Sequence, residues 1–127
     1  MSKHKANYDK LMTITVFAAA VSIRGIGATI NADGEAAVPA AGTMPDVIFT
    51  ESDVAVGAAV QGAIPNGGII PVLAGAAIAV GADVTTDAAG KFVAATSGDA
   101  IVGRSVTAAT GADEFFGIQF TFKGAKA

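Results

Sequence analysis

Cysteine and tryptophan are absent from this chain, and histidine and tyrosine occur once each. Without cysteine there is no disulfide framework, no thiol nucleophile and no thiolate-bound metal. The lone histidine, His4, excludes a multi-histidine metal site. It also lies in a polar stretch without periodicity, MSKHKANYDK, where nothing holds it beside a nucleophile. Charge is scarce too, with only 15% of residues ionic, so few groups remain for acid–base work. Between the two ends, Arg24, Lys91 and Arg104 stand against ten carboxylates, while Lys3, Lys5, Lys10, Lys123 and Lys126 make the ends basic and bring the net charge to −3. An acidic body argues against a nucleic-acid surface, which needs clustered Lys and Arg. The basic ends either steer the chain toward an acidic partner or are simply solvated tails.

Large apolar side chains are also few beside the abundant Ala and Gly. A chain of 127 residues reads as one domain, here 11–127 behind an arm at 1–10. Its core is made of small material, and burial stabilises by only about 25 cal/mol per Å². Part of the stability is therefore expected from association between copies.

Long unbroken apolar runs are missing as well. Val54 to Ala82 carries no charge, but Gln61, Pro65, Asn66, Gly67, Gly68 and Pro71 interrupt it, and a spanning helix needs about 20 clean residues. The start, MSKHKANYDK then LMTITVFAAAVSI, has the outline of an export signal ending near Ala20. Against that outline, Asp9 sits in the basic region, and Thr13 and Thr15 alternate with Ile14 and Val16 as in a half-buried strand.

What is present is a chain of short apolar runs between turn signals. The central stretch, Ala74 to Thr110, is cut by Gly81-Ala82-Asp83, Asp87-Ala88-Ala89-Gly90 and Thr96-Ser97-Gly98-Asp99 into pieces too short for helices. Further strands are expected at Leu11–Ala18, at Val21–Ile30 with a bulge near Gly25 and Gly27, and at Ala36–Val38, Asp46–Thr50, Ala58–Ile64 and Ile69–Leu73. A single helical turn is expected in Glu51–Gly57. The last segment, Glu114 to Lys123, places Phe116, Ile118, Phe120 and Phe122 on one face. The chain reads as all-β, a small sandwich or barrel. Sliding the sequence by 56 places Ile14 on Ile70, Val16 on Val72, Gly25 on Gly81, Thr29 on Thr85 and Gly34 on Gly90. Ala55-Val56-Gly57 falls beside Ala109-Thr110-Gly111 only at a shift two residues smaller. The pattern predicts a pseudo-duplicated hairpin unit.

Chemistry is hard to place on this framework. None of Ser2, Ser22, Ser52, Ser97 and Ser105 sits in a strand–GxSxG–helix context. Asp33, Asp83, Asp87, Asp99 and Asp113 all fall in turn clusters, where Asx-type bonding closes hairpins. Phe115, Phe116, Phe120 and Phe122 read as core at strand spacing, with a sugar- or base-stacking platform as the alternative. Arg24 and Arg104 stand alone in apolar surroundings and could pair within the fold or across a subunit contact. No catalytic residue, cofactor site or metal site is assigned.

The central block AGAAIAVGADVTTDAAGKFVAATSGDAIVGRSVTAAT resembles the small capsid cement, or head decoration, proteins of tailed bacteriophages. Their second half typically runs AGAAI–G–VT–DAAGK–V–A–GD–I–GR–AAT–G. The segments MTITV, ATINADGEAAVPAAG and DVIFTESDVAVGAAVQGAI extend the resemblance over most of the chain. EFFGIQFTF is bulkier than the family pattern and the linker PNGGIIP longer. The resemblance implies a β-tulip-like domain with no enzymatic activity. It further implies a homotrimer made in the host cytoplasm, then seated on the outer face of the expanded capsid where capsomers meet. The major capsid protein would be its partner, with neither nucleic acid nor membrane involved. In that setting Lys3, Lys5, Tyr8 and Lys10 of the arm become candidate capsid contacts, and Arg24 and Arg104 candidate subunit contacts. Two other readings stay open. One is a β-sandwich carbohydrate-binding, tail-fibre or surface-layer module, and the other is an exported bacterial surface protein.

Overall fold

A computed structural model describes residues 13–19, 22–64 and 68–127, without the side chains of Phe122 and Lys123. Among them there is no helix, and ten strands form two sheets of five. The first unit contains β1 (Thr13–Ala18), β2 (Gly27–Ile30), β3 (Glu35–Ala37), β4 (Val47–Phe49) and β5 (Ala59–Ala63). It closes into a barrel in the order β1-β3-β2-β4-β5. The second contains β6 (Ile69–Leu73), β7 (Asp83–Thr86), β8 (Phe92–Ala94), β9 (Ala100–Ser105) and β10 (Phe115–Ala125), ordered β6-β10-β9-β7-β8. The all-β expectation of a small barrel or sandwich holds.

The repeat is larger than a hairpin. Strand pairing in the second unit reproduces that in the first at a constant offset of 56 residues. Phe17 faces Ala59 as Leu73 faces Phe115, and Thr29 faces Ala37 as Thr85 faces Val93. Ala28 faces Val47 as Val84 faces Gly103, and Ile48 faces Ala63 as Arg104 faces Gln119. Left-handed residues recur at the same offset: Gly25 and Gly81, Gly34 and Gly90, Gly42 and Gly98, Gly57 and Asp113. The last pair removes the two-residue slip expected from sequence. The Gly57 N–H donates to Ala18 O, and the Asp113 N–H, not that of Gly111, donates to Ala74 O. Asp tolerates the left-handed conformation better than most residues, so the glycine pattern is misleading here.

The two units differ at one seam. In the first, β1 and β3 run parallel with two paired positions, Phe17 with Glu35 and Ala18 with Ala36. In the second only Ala74 and Phe92 pair across the equivalent seam. There the first unit intrudes: Leu73 N–H donates to Gly25 O at 2.9 Å, and Gly27 N–H donates to Gly90 O at 2.8 Å. The fit is tight enough that a Cβ on Gly25 would stand 2.7 Å from the Phe115 ring, and one on Gly90 would stand 2.5 Å from Gly27 O. The cores interlock as well. Leu73 joins the apolar cluster of the first unit, and Ile48 and Ala63 join that of the second.

Three expectations are corrected. Val21–Ile30 is no continuous strand, because Gly25 turns at φ +90° and only Gly27–Ile30 pairs. Glu51–Gly57 contains bends and a reverse turn closed by Ala58 N–H on Ala55 O with Gly57 left-handed, rather than a helical turn. Its amides are taken by Ser22, whose carbonyl accepts from Asp53 N–H and whose hydroxyl accepts from Val54 N–H, and Asp53 is left-handed. Between Ala74 and Val80 only Ala74 and Ile78 pair, Ile78 with Ala109, because this small-residue run has one large side chain buried in the core.

Candidate interaction surface

The polar side chains are mostly spent on holding turns. Asn31 Oδ1 accepts the N–H of Asp33 and Glu35, and Asp87 Oδ1 accepts those of Ala89 and Lys91, the same Asx turn in each unit. Asp99 caps Thr96 through both its backbone N–H and its hydroxyl. Two aspartates instead form ion pairs: Asp113 with Lys91 at 2.6 Å and Asp83 with Lys126 at 3.1 Å. The hydrogen bond from Lys91 to Asp113 holds its amine protonated above the usual lysine range, although the pair is open to solvent. The buried serines are equally committed. Ser22 Oγ donates to Glu51 O, and Ser105 Oγ donates to Ala79 O while accepting from Ala82 N–H.

Among the described residues no group of three His, Asp or Glu side chains converges as a metal site requires. A cleft of about 200 Å³ opens between the units, with Ile48, Phe49, Ala63, Ile70 and Pro71 on its walls, Thr50 beside them and Arg24 as its one ionisable group among the described residues.

The expected site residues fall as follows. Lys3, Lys5, Tyr8 and Lys10 lie outside the described residues. Arg24 is exposed and lies over the Phe115 ring at 5.4 Å, spanning the contact between the two units of the chain. Arg104 is exposed on β9 beside Gly81, and among the described residues no carboxylate pairs with it. Of the four phenylalanines read as core, Phe116 and Phe120 are buried and Phe115 is exposed; the Phe122 side chain lies outside the described residues. Sequence reasoning passed over Phe17. It is the most exposed phenylalanine of the described set, and it faces outward because Val16 and Ala18 on the same strand face in.

No protein-family model and no curated protein matches the chain. Among solved structures, the N base of the head fibre gp8.5 of bacteriophage phi29 is similar, with a TM-score of 0.74 and 21% identity. The likeness covers 92% of this chain and 99% of that one, so it spans both five-stranded units. At that identity the likeness is one of fold.

Proposed function

We propose that this chain is a phage head decoration protein. It binds the outer face of the expanded capsid at capsomer junctions, as a homotrimer, and holds the shell against the pressure of packaged DNA. The observation that carries the reading is the whole-chain likeness to the base of a phage head fibre. The resemblance of the Ala74–Thr110 block to cement proteins is a separate, sequence-level reason for the same setting.

The physics is that of a multivalent clamp. A protein bonded to several capsomers must release every contact before a seam opens, and each contact after the first forms at high effective concentration. An arm such as 1–10 can lay main-chain hydrogen bonds along a capsid strand, and Lys3, Lys5 and Lys10 can meet acidic capsid groups. The protein acts through surfaces, without catalysis. In this reading its partner is the major capsid protein, and neither DNA nor a membrane touches it.

The test is to add purified chain to emptied, expanded heads, then measure co-sedimentation and the rupture temperature. Saturable binding with a raised rupture temperature is expected. Absence of binding would overturn the reading. Deleting residues 1–10 should weaken binding, and unchanged binding would remove the arm from the account. The exposed rings of Phe17 and Phe115 favour one competing reading, a carbohydrate-binding module of a fibre or surface layer. Retention on a glycan array, lost in a Phe17→Ala variant, would support that instead.

A further inference from the structure

The internal repeat makes the chain its own template for a second contact. Inside the chain, the first unit offers a leading edge, Arg24 to Gly27 with Ile48, to a receiving face on the second unit. That face contains Ile70, Leu73, Thr86 and Gly90. Moving 56 residues back along the repeat gives the corresponding face of the first unit: Ile14, Phe17, Ile30 and Gly34. The two faces differ sharply in cover. Ile70, Leu73 and Thr86 are 3%, 7% and 1% exposed, whereas Ile14, Phe17 and Ile30 are 39%, 57% and 37% exposed. A Cβ on Gly90 would strike Gly27 O, whereas none of the described residues lies within 4 Å of one on Gly34.

The leading edge is likewise duplicated, and it is open at Val80 and Gly81, while Asp83 is half-buried and paired with Lys126. Its counterpart in the second unit is Val80 to Asp83 with Arg104, in which Val80 is 62% exposed and Gly81 and Arg104 are exposed. Part of the equivalent surface is covered by the chain's own end, where Gly98 N–H donates to Lys126 O and Lys126 N–H donates to Asp99 O. Among the described residues nothing covers the edge around Val80, Gly81 and Arg104, all of which are exposed. Within the edge Lys126 neutralises Asp83, which leaves Arg104 as the uncompensated charge, and the opposing face is acidic: Glu35 pairs with Phe17 across the barrel seam, and Asp46 accepts from Ile30 N–H. Arg24 is the one basic residue among the described residues of the first unit.

We infer that a second copy of this chain covers the Ile14–Phe17–Ile30 face, inserting its Val80–Gly81 edge and bringing Arg104 to the acidic rim. The contact is heterologous: the first unit of one copy meets the second unit of the next, repeating the part of the internal join around Gly25, while the Gly98 N–H that corresponds to the Gly42 donor is already bonded to Lys126 O. Such a contact either closes into a ring or continues as a filament. A ring of three chains then presents six quasi-equivalent units. The inference rests on the homotrimer of the proposed function but identifies the surfaces that build it.

The experiment follows from the contact having two unlike halves. Wild-type chain, Phe17→Asp, Arg104→Glu and an equimolar mixture of the two variants are compared by sedimentation velocity and native mass spectrometry. Circular dichroism melts serve as the folding control, since both side chains are exposed. Wild type is expected to assemble, and each variant alone to lose at least about 30-fold in association as a central contact is replaced. The mixture is expected to give one-to-one dimers, because each variant keeps the half that the other lacks. A mixture that stays monomeric, or single variants that assemble like wild type, would overturn the inference. Wild type that binds heads as a monomer would also overturn it, and would remove the homotrimer from the proposed function while leaving head binding in place. Assembly as expected without head binding would leave the surfaces and remove that reading.

Discussion

The guanidinium of Arg24 lies 5.4 Å from the centroid of the Phe115 ring, and this contact ties the first five-stranded unit to the second. Both partners are exposed, so the attraction belongs at the weak end of its range, about 0.5–1 kcal/mol. Arg24→Ala, Phe115→Ala and the double variant should show that coupling energy in urea unfolding. A coupling of zero would mean that the stacking contributes nothing.

Gly34 and Gly90 occupy the same place in their units, at φ +79° and +82°. An alanine at either position meets the same backbone penalty, about 1–2 kcal/mol for a left-handed L-residue. Only at Gly90 does the new Cβ also press on a neighbouring unit, through Gly27 O. Gly90→Ala should therefore destabilise by about 1–3 kcal/mol more than Gly34→Ala, as overpacking does. Equal losses in thermal unfolding would show that the contact between units is pliable.

Phe92 is fully buried and meets Phe120 edge-to-face, with centroids 6.3 Å apart and ring planes at 85°. It fills the core at the incomplete seam of the second unit. Phe92→Ala should cost about 3–5 kcal/mol, a large share of the stability of a domain this size. Phe92→Leu should cost less. Chemical denaturation measures both.

Glu114 receives a hydrogen bond from the Thr110 hydroxyl and a further one from the Thr110 N–H, and these hold its carboxyl below the usual glutamate range. A group with a depressed folded pKa adds stability above its unfolded value, and that stability is lost as pH falls through the folded value. The contribution is thus present at neutral pH and disappears in acid. NMR titration of Glu114 should give a midpoint below that of an unperturbed glutamate, and Thr110→Val should raise it. An unchanged midpoint would sink the assignment.

Much of this architecture is legible before any coordinates, because short strands punctuated by Gly and Asp leave few alternatives. The offset of 56 is visible in Ile14 with Ile70 and Gly34 with Gly90, and it governs all the strand pairings shared by the two units. Its extent was harder to read. Gly57 has no glycine at its partner position, since Asp113 adopts the left-handed conformation there. Matching residue types therefore pulls the alignment two places off, onto Gly111. Composition also conceals which phenylalanines face water. Phe115 and Phe116 are adjacent, and only the pleat of β10 decides that Phe116 is buried and Phe115 lies under Arg24. Arg24 itself could not be assigned from its neighbours in sequence, because its aromatic partner lies 91 positions further along the chain.

The unequal seams also make the two units depend on each other unequally for their backbone pairing. The amino-terminal ring completes itself from its own strands, whereas its sequel needs the Gly25–Gly27 wedge to cap the gap beside Leu73 and Gly90. A later half made alone would hand to water the Leu73 N–H and Gly90 O that this wedge engages.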